Sequence, residues 1–206
     1  MNRNQSPPLV AIVIVNYNGM AFIDDCLTSV AQSSYTSVKV IMVDNASTDN
    51  SVPHVAEHYP WVSIVRNRRN CLFAKAANLG IEHALKAKPD YILLLNPDVT
   101  LSESCTSNLI SFLQEHPNAA ACQPKLLFRH NPRYIQSCGC RCSLSGRAWD
   151  HRMGEFDSAC LPSFEEVPGA SGGALFLRAS IFSQGIHFCE AFGMYYEDVD
   201  FCLRLR

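Results

Sequence analysis

Apolar residues in this chain fall into short unbroken runs, and between these runs they recur at helical spacing. Leu9 to Val15 is a continuous, mostly β-branched run that stops at Asn16-Tyr17-Asn18-Gly19, a turn signal. From Met20 to Ala31 the apolar positions Phe22, Ile23, Cys26, Leu27 and Val30 repeat as on one face of a helix. Val38 to Val43 predicts a second strand that ends on Asp44, and a short helix follows to about Tyr59 with Pro53 in its first turn. Trp61 to Val65 predicts a third strand, and Phe73 to about Lys86 a third helix that stops before Pro89. Tyr91-Ile92-Leu93-Leu94-Leu95 has no polar alternation, as expected of a strand covered on both faces. Asn96-Pro97-Asp98 ends it. Ser102, Cys105, Leu109, Phe112 and Leu113 then mark a fourth helix closed by His116-Pro117.

This alternation predicts an α/β fold with a doubly wound, mostly parallel central sheet and helices on both faces. In such sheets ligands bind beyond the carboxyl ends of the strands, which is where Asp44 and Asp98 stand. The second half follows another pattern. Ala119 to Phe128 reads as one strand, residues 129–165 as a polar, irregular excursion, and Ala174 to Leu177 as a strand entered through Gly172-Gly173. Those glycines would let a ligand approach the backbone. Val199, Cys202 and Leu203 lie at helical spacing behind the acidic group Glu197-Asp198-Val199-Asp200, with no C-terminal stop signal. The chain therefore reads as cut from a longer protein. Within it we expect one domain over 1–206, with a first half at 9–128 and a second half at 129–206.

Composition narrows the choice. With 206 residues, 48% of them hydrophobic and 17% charged, the chain has the profile of a globular domain. A net charge of -2 gives no basis for a nucleic-acid partner. The start, Met1 to Pro8, lacks the apolar core of a signal peptide, and no apolar run is long enough to span a bilayer. Ten scattered cysteines without a secretion signal read as buried free thiols in a reducing, cytoplasmic setting. Cys138, Cys140 and Cys142 are spaced more tightly than zinc pairs and have no matching second pair. Neither a dinucleotide-binding glycine fingerprint, a phosphate-binding P-loop nor a serine nucleophile elbow occurs. What remains is a phosphate-bearing ligand held through a hard cation by one or two carboxylates, with another carboxylate free to act as a base.

Four motifs in order, Val13-Ile14-Val15-Asn16-Tyr17-Asn18-Gly19, Val43-Asp44-Asn45-Ala46-Ser47-Thr48-Asp49, Leu94-Leu95-Asn96-Pro97-Asp98 and Tyr196-Glu197-Asp198-Val199-Asp200, resemble the family 2 glycosyltransferases of the GT-A fold, especially their rhamnosyltransferase-like branch. The resemblance implies an inverting transfer of a sugar, such as rhamnose, from a UDP- or dTDP-sugar to a polysaccharide or lipid-linked acceptor, with Mg²⁺ or Mn²⁺ as cofactor. It implies that Asn16, Tyr17, Asn18, Asp44, Asn45, Asn78 and Asn96 hold the nucleotide sugar, and that Asp98 binds metal and diphosphate. Asp198 would be the catalytic base, with Gly172, Gly173 and Glu197 on the acceptor side. It also implies work at the inner face of the cell membrane, with peripheral attachment through the missing C-terminal part.

Departures from the family pattern are specific. Asn96 takes the place of the first carboxylate of the D-x-D motif. Leu72 replaces a glycine and Ala77 an asparagine within Asn70 to Gly80, and Cys189 replaces an aspartate. Arg66, Arg68, Arg69 and Lys75 are available to phosphates. A rival expectation is a non-catalytic nucleotide-sugar-binding or scaffolding domain; a sugar nucleotidyltransferase is less favoured, since it would need a glycine-rich basic loop after the first strand.

Overall fold

The computed structural model describes residues 6–158 and 160–206. The first five residues of the polar start, read above as lacking a signal-peptide core, lie outside the described residues. Strand β1 (Val10–Asn16) leads to helix α1 (Ile23–Ala31), β2 (Val38–Asp44), α2 (Ser51–His58), β3 (Val62–Arg66), α3 (Leu72–Leu85), β4 (Tyr91–Leu95) and α4 (Cys105–Glu115). Each of these elements overlaps one read from the apolar pattern. The first helix begins three residues later than expected, because the Gly19 carbonyl accepts from the N–H groups of Phe22 and Ile23 in a preceding turn.

Beyond α4 the expectations need correction. The single strand predicted over Ala119 to Phe128 is two, β5 (Ala121–Cys122) and β6 (Leu126–Phe128). Pro124 stands between them, and a residue without an N–H cannot continue a ladder. The excursion at 129–165 is not irregular throughout. It holds β7 (Asn131–Ser137), paired with β6, and the hairpin of β8 (Cys140–Cys142) and β9 (Ala148–Asp150). Then come β10 (Ala174–Arg178), a 3-10 turn over Ala179–Gln184 and helix α5 (Glu197–Arg204).

The main sheet has the order β3-β2-β1-β4-β10-β5. Strands β3, β2, β1 and β4 are mutually parallel, and β10 runs antiparallel to both its neighbours. Strand β10, from beyond residue 128, lies inside this sheet between β4 and β5. Alternate residues of the strands feed two cores. Val10, Ile12, Ile14, Met42, Leu93 and Leu95 pack on one face with Ile23, Leu27, Val55 and Leu109 from α1, α2 and α4. Val13, Ile41, Val43, Leu94 and Leu175 pack on the other with Ala77, Ile81 and Ala84 of α3 and Phe201 of α5. Both faces being covered explains why the strands read as unbroken apolar runs. Among the described residues no helix is long and apolar enough to cross a membrane.

The thiols are less buried than expected. Cys26, Cys140 and Cys202 are buried, six others are half-buried and Cys160 is exposed. Burial pushes the thiols of Cys26, Cys122 and Cys140 up to about 12.

Helix α3 lies close on the sheet at Gly80. A Cβ there would meet Val13 Cγ1 at 2.4 Å and Val43 Cγ2 at 2.9 Å. Alanine would gain about 1 kcal/mol in helix propensity, but the overlap is with two core side chains. Gly80→Ala is expected to lower stability by about 1–3 kcal/mol net, read as a shift of the urea midpoint. An unchanged or raised midpoint would show that the helix has room to move.

Candidate active site

The carboxyl ends of β1, β2 and β4 carry the candidate residues, and the ladder runs on past the strands. Asn45 N–H donates to the Asn16 carbonyl and Asn67 N–H to the Asp44 carbonyl, both at 2.8 Å. Asn16 is fully buried, and its amide donates to the hydroxyls of Ser47 and Ser51 at 3.1 and 2.9 Å. Its Oδ1 has no partner among the described residues and would lie 2.2 Å from a Cβ at position 19, so Gly19 is required there. Asn18 sits in the left-handed region (φ 52) and accepts from the Thr48 N–H at 2.7 Å. These bonds tie the loop after β1 to the loop after β2. Tyr17, between them, is half exposed.

Asp44 is buried at the end of β2, with Oδ1 accepting from the Ser47 N–H at 3.1 Å. Asn45 is spent inside the protein. It donates to Asn70 Oδ1 and the Leu72 carbonyl, and it accepts from Asn67 Nδ2 and the Cys71 N–H. Asn78 on α3 clasps the backbone of Phe188, donating to its carbonyl at 2.9 Å and accepting from its N–H at 3.0 Å. Geometry thus makes Asn16, Asn45 and Asn78 builders of the loops around the site. Sequence reading had placed all three on the ligand.

Two hollows meet beyond β4. One is lined by Asn96, Asp98, Phe22, Arg129, His130 and Gln136, among others. The other is lined by Asn96, Phe73, Gly172, Tyr195, Tyr196 and Asp198, among others. Asn96, Ser171 and Gly173 belong to both. The connection is short: two hydrogen bonds joined by the Gly172–Gly173 peptide. Asn96 N–H donates to the Gly173 carbonyl at 2.9 Å, and Gly172 N–H donates to Asp198 Oδ2 at 2.8 Å. The other Asp198 oxygen accepts from the Val199 N–H at 2.8 Å, in the first turn of α5. Asp98 is exposed and has no hydrogen bond or ion pair among the described residues.

The described residues contain no cluster of three or more His, Cys, Asp or Glu side chains able to hold a metal by themselves. One unengaged carboxylate suits a hard cation that shares its coordination with substrate phosphates, so Mg²⁺ or Mn²⁺ fits at Asp98 in that manner.

Glu197 lines the second hollow but is largely buried, and its Oε2 has no partner among the described residues. Burial, then the neighbouring Asp198 carboxylate, pushes its pKa above the ordinary range. Asp200 faces elsewhere, paired with Arg204 at 2.8 Å. Lys75 is paired with Glu190 at 3.1 Å, while Arg66, Arg68 and Arg69 stand exposed on the surface.

Backbone strain gathers at the second hollow. Leu72, Tyr195 and Tyr196 all have positive φ (64, 73 and 69). The glycine expected at position 72 by family resemblance has a physical reason, since L-residues in this region cost roughly 1–2 kcal/mol. Leu72 also fills the space over Gly193, where a Cβ would meet its Cδ1 at 2.7 Å. The aromatic rim, Phe22, Phe73, Tyr195 and Tyr196, and the side chains of Arg129 and His130 line these hollows without carrying a site signal in the sequence, where Phe22 and Phe73 read only as apolar positions of helices.

A sheet of this order, with carboxylates at its carboxyl edge and a returning antiparallel strand beside them, is the GT-A fold of nucleotide-sugar-dependent glycosyltransferases. The structure resembles S. aureus TarS (TM-score 0.71, 17% identity, 96% of this chain and 55% of that one). It also resembles the mannosyltransferase PcManGT of Pyrobaculum calidifontis, solved with GDP-Man and Mn²⁺ (TM-score 0.69, 16% identity, 97% of this chain and 52% of that one). The chain belongs to glycosyl transferase family 2, which matches it over residues 11–183. It is 26% identical to the N-acetylglucosaminyl-diphospho-decaprenol L-rhamnosyltransferase of Mycobacterium tuberculosis, over 96% of this chain and 70% of that protein. The chain thus spans about half the length of the solved glycosyltransferases it resembles.

Two expectations test this geometry. Asn45→Ala should cost about 2 kcal/mol or more without any nucleotide present, because four hydrogen bonds of the 67–72 loop lose their partner. A fall in nucleotide affinity with an unmoved denaturation midpoint would instead make Asn45 a ligand contact. Glu197 carries the second. A carboxyl whose folded pKa is raised binds its proton more tightly in the native state, so it subtracts stability as pH rises through and above the ordinary carboxylate range. Glu197→Gln should remove that loss, giving a higher melting temperature than wild type near pH 7 and a shrinking difference toward about pH 4. Parallel curves would show that Glu197 is not held protonated by burial.

Proposed function

We propose that this chain is the catalytic domain of an inverting, metal-dependent glycosyltransferase that moves a sugar from a nucleotide-diphosphate donor to a saccharide or lipid-linked acceptor. The observation that carries the reading is the Gly172-Gly173 bridge, which ties Asn96 on one side to Asp198 on the other within adjoining hollows. Rhamnose as the sugar and a lipid-linked acceptor are supported by the activity of the M. tuberculosis relative, and a nucleotide-linked donor by the UDP and GDP-Man bound in the solved neighbours.

The donor's nucleotide would lie over the loops after β1 and β2, against Tyr17, Asn18 and Asp44, with the diphosphate reaching Asp98. A divalent ion held at Asp98 would supply positive charge to the diphosphate as it departs. Asp198 has one lone pair on each oxygen fixed by a backbone N–H, which aims the carboxylate while leaving capacity for an acceptor hydroxyl. It takes the hydroxyl proton as the oxygen attacks the anomeric carbon on the face opposite the leaving diphosphate. A single displacement of this kind inverts the centre and needs one base and no covalent nucleophile. Burial raises the pKa of the neighbouring Glu197, which disfavours a second charge beside Asp198.

A second reading, a domain that binds a nucleotide sugar without transferring it, is favoured by the departures at Leu72 and Cys189. Donor turnover decides between them. Asp98→Ala should weaken calorimetric binding of a nucleoside diphosphate in the presence of Mn²⁺, and equal affinity would remove Asp98 from the metal site. Asp198→Asn should keep that binding and lose transfer by roughly 10²–10⁴-fold, the usual worth of a general base. Turnover retained in the Asp198 variant would exclude it as the base. Binding with no turnover in wild type, across UDP-, dTDP- and GDP-sugars, would favour the second reading.

A further inference from the structure

The hairpin of β8 and β9 takes no part in the chemistry above, yet its surface is unusual. Arg141 and Trp149 are directly opposed across the two strands, so they share one face. The flanking pairs, Cys140 with Asp150 and Cys142 with Ala148, project to the other side, where Cys140 is buried against the body of the protein. Arg141 and Trp149 therefore face outward, and both are exposed. At the tip, Leu144 is fully exposed, and Arg147 stands exposed three residues on. Neither Arg141 nor Arg147 forms an ion pair among the described residues. The chain as a whole carries a net charge of -2, so this outward cationic and apolar face runs against the balance of the molecule.

The hairpin is firmly mounted. Cys140 N–H donates to the Gly169 carbonyl at 2.7 Å, and His151 N–H to the Gly139 carbonyl at 2.8 Å. Just beyond β9, Glu165 accepts from Arg152 Nε at 2.9 Å and pairs with His151 Nε2 at 2.8 Å. The hairpin also adjoins the candidate site. Ala148 N–H reaches the hydroxyl of Tyr196 at 3.5 Å, and Tyr196 lines the hollow that holds Asp198.

We propose that the β8–β9 hairpin seats on a lipid bilayer with anionic headgroups, with Leu144 and Trp149 entering the interfacial layer and Arg141 and Arg147 meeting lipid phosphates. A saccharide could stack on Trp149, but it would have no use for a bare leucine at the tip. A bilayer interface takes up the leucine, the indole and the guanidinium groups together. The proposal needs no assumption about the transfer reaction, and it uses a segment distinct from any C-terminal attachment. Seated this way, the hairpin would hold the mouth of the Asp198 hollow at the membrane surface.

Vesicle partition of the chain tests it. The protein should co-sediment with phosphatidylcholine vesicles containing about one-third phosphatidylglycerol, much less with phosphatidylcholine alone, and less as salt is raised. Leu144→Asp with Trp149→Ala, and separately Arg141→Glu with Arg147→Glu, should each reduce partition by roughly tenfold or more. In a Trp61→Phe background, where Trp149 is the remaining tryptophan, emission should shift to the blue on adding the anionic vesicles and not on adding the neutral ones. Absence of binding to anionic vesicles, partition unaffected by the hairpin substitutions, or an emission that does not shift would each overturn the proposal. So would hairpin substitutions that abolish self-association in light scattering while leaving vesicle partition intact, since the face would then be an interface between copies.

Discussion

Strand β10 enters the central sheet against the direction of its neighbours, and the site depends on where that places its first residues. Pairing Ala174 with Leu95 lays the N-terminal end of β10 beside the C-terminal end of β4. The backbone just before β10 therefore arrives where the parallel strands point their carboxyl ends. Gly173 extends the ladder by one bond to Asn96, and Gly172 turns its N–H toward Asp198. The pairing is held by burial from both sides. Phe176 is fully buried and stacks on Tyr91, with ring centroids 5.1 Å apart, and Leu175 and Leu177 enter the opposite core. A strand running the other way would put its own carboxyl end at that edge. The bridge between the two acidic motifs would be lost.

The two key aspartates are set apart by their surroundings more than by their chemistry. Asp98 is exposed at a turn and has no partner among the described residues, which leaves its oxygens open to a cation. Asp198 has both oxygens anchored by backbone N–H groups, which suits a group that must point one way. Two carboxylates placed in unlike environments can take unlike roles on one fold. Glu197, buried beside Asp198 with its Oε2 unpartnered among the described residues, has its pKa raised by that burial and by the neighbouring carboxylate.

Much of the polar inventory around the site serves rigidity. Asn16, Asn18, Asn45 and Asn78 bind backbone and hydroxyl groups of neighbouring loops. Preorganised loops lower the ordering cost when a ligand binds. Positive φ at Leu72, Tyr195 and Tyr196 shows the opposite side of that arrangement, since strain of this kind persists only where packing over-determines it.

The sequence by itself determined the alternation of the first half, because strands covered on both faces and helices with one apolar face leave unmistakable periods. It also placed Asp44 and Asp98 at or just beyond strand ends, since the unbroken apolar runs stop at Asp44 and before Asn96-Pro97-Asp98. The four motifs placed the chain with the glycosyltransferases that its fold and family match then showed. What only the tertiary structure decided were contacts between residues far apart in the chain. The Asp198 carboxylate meets Gly172, Asn78 holds Phe188, and Pro124 splits one predicted strand between two different sheets. Side-chain roles were equally out of reach, because an asparagine that braces a loop and one that binds a nucleotide look alike until their partners are in place. The β8–β9 hairpin shows the same limit: Arg141 and Trp149 become a single face only when antiparallel pairing sets them side by side.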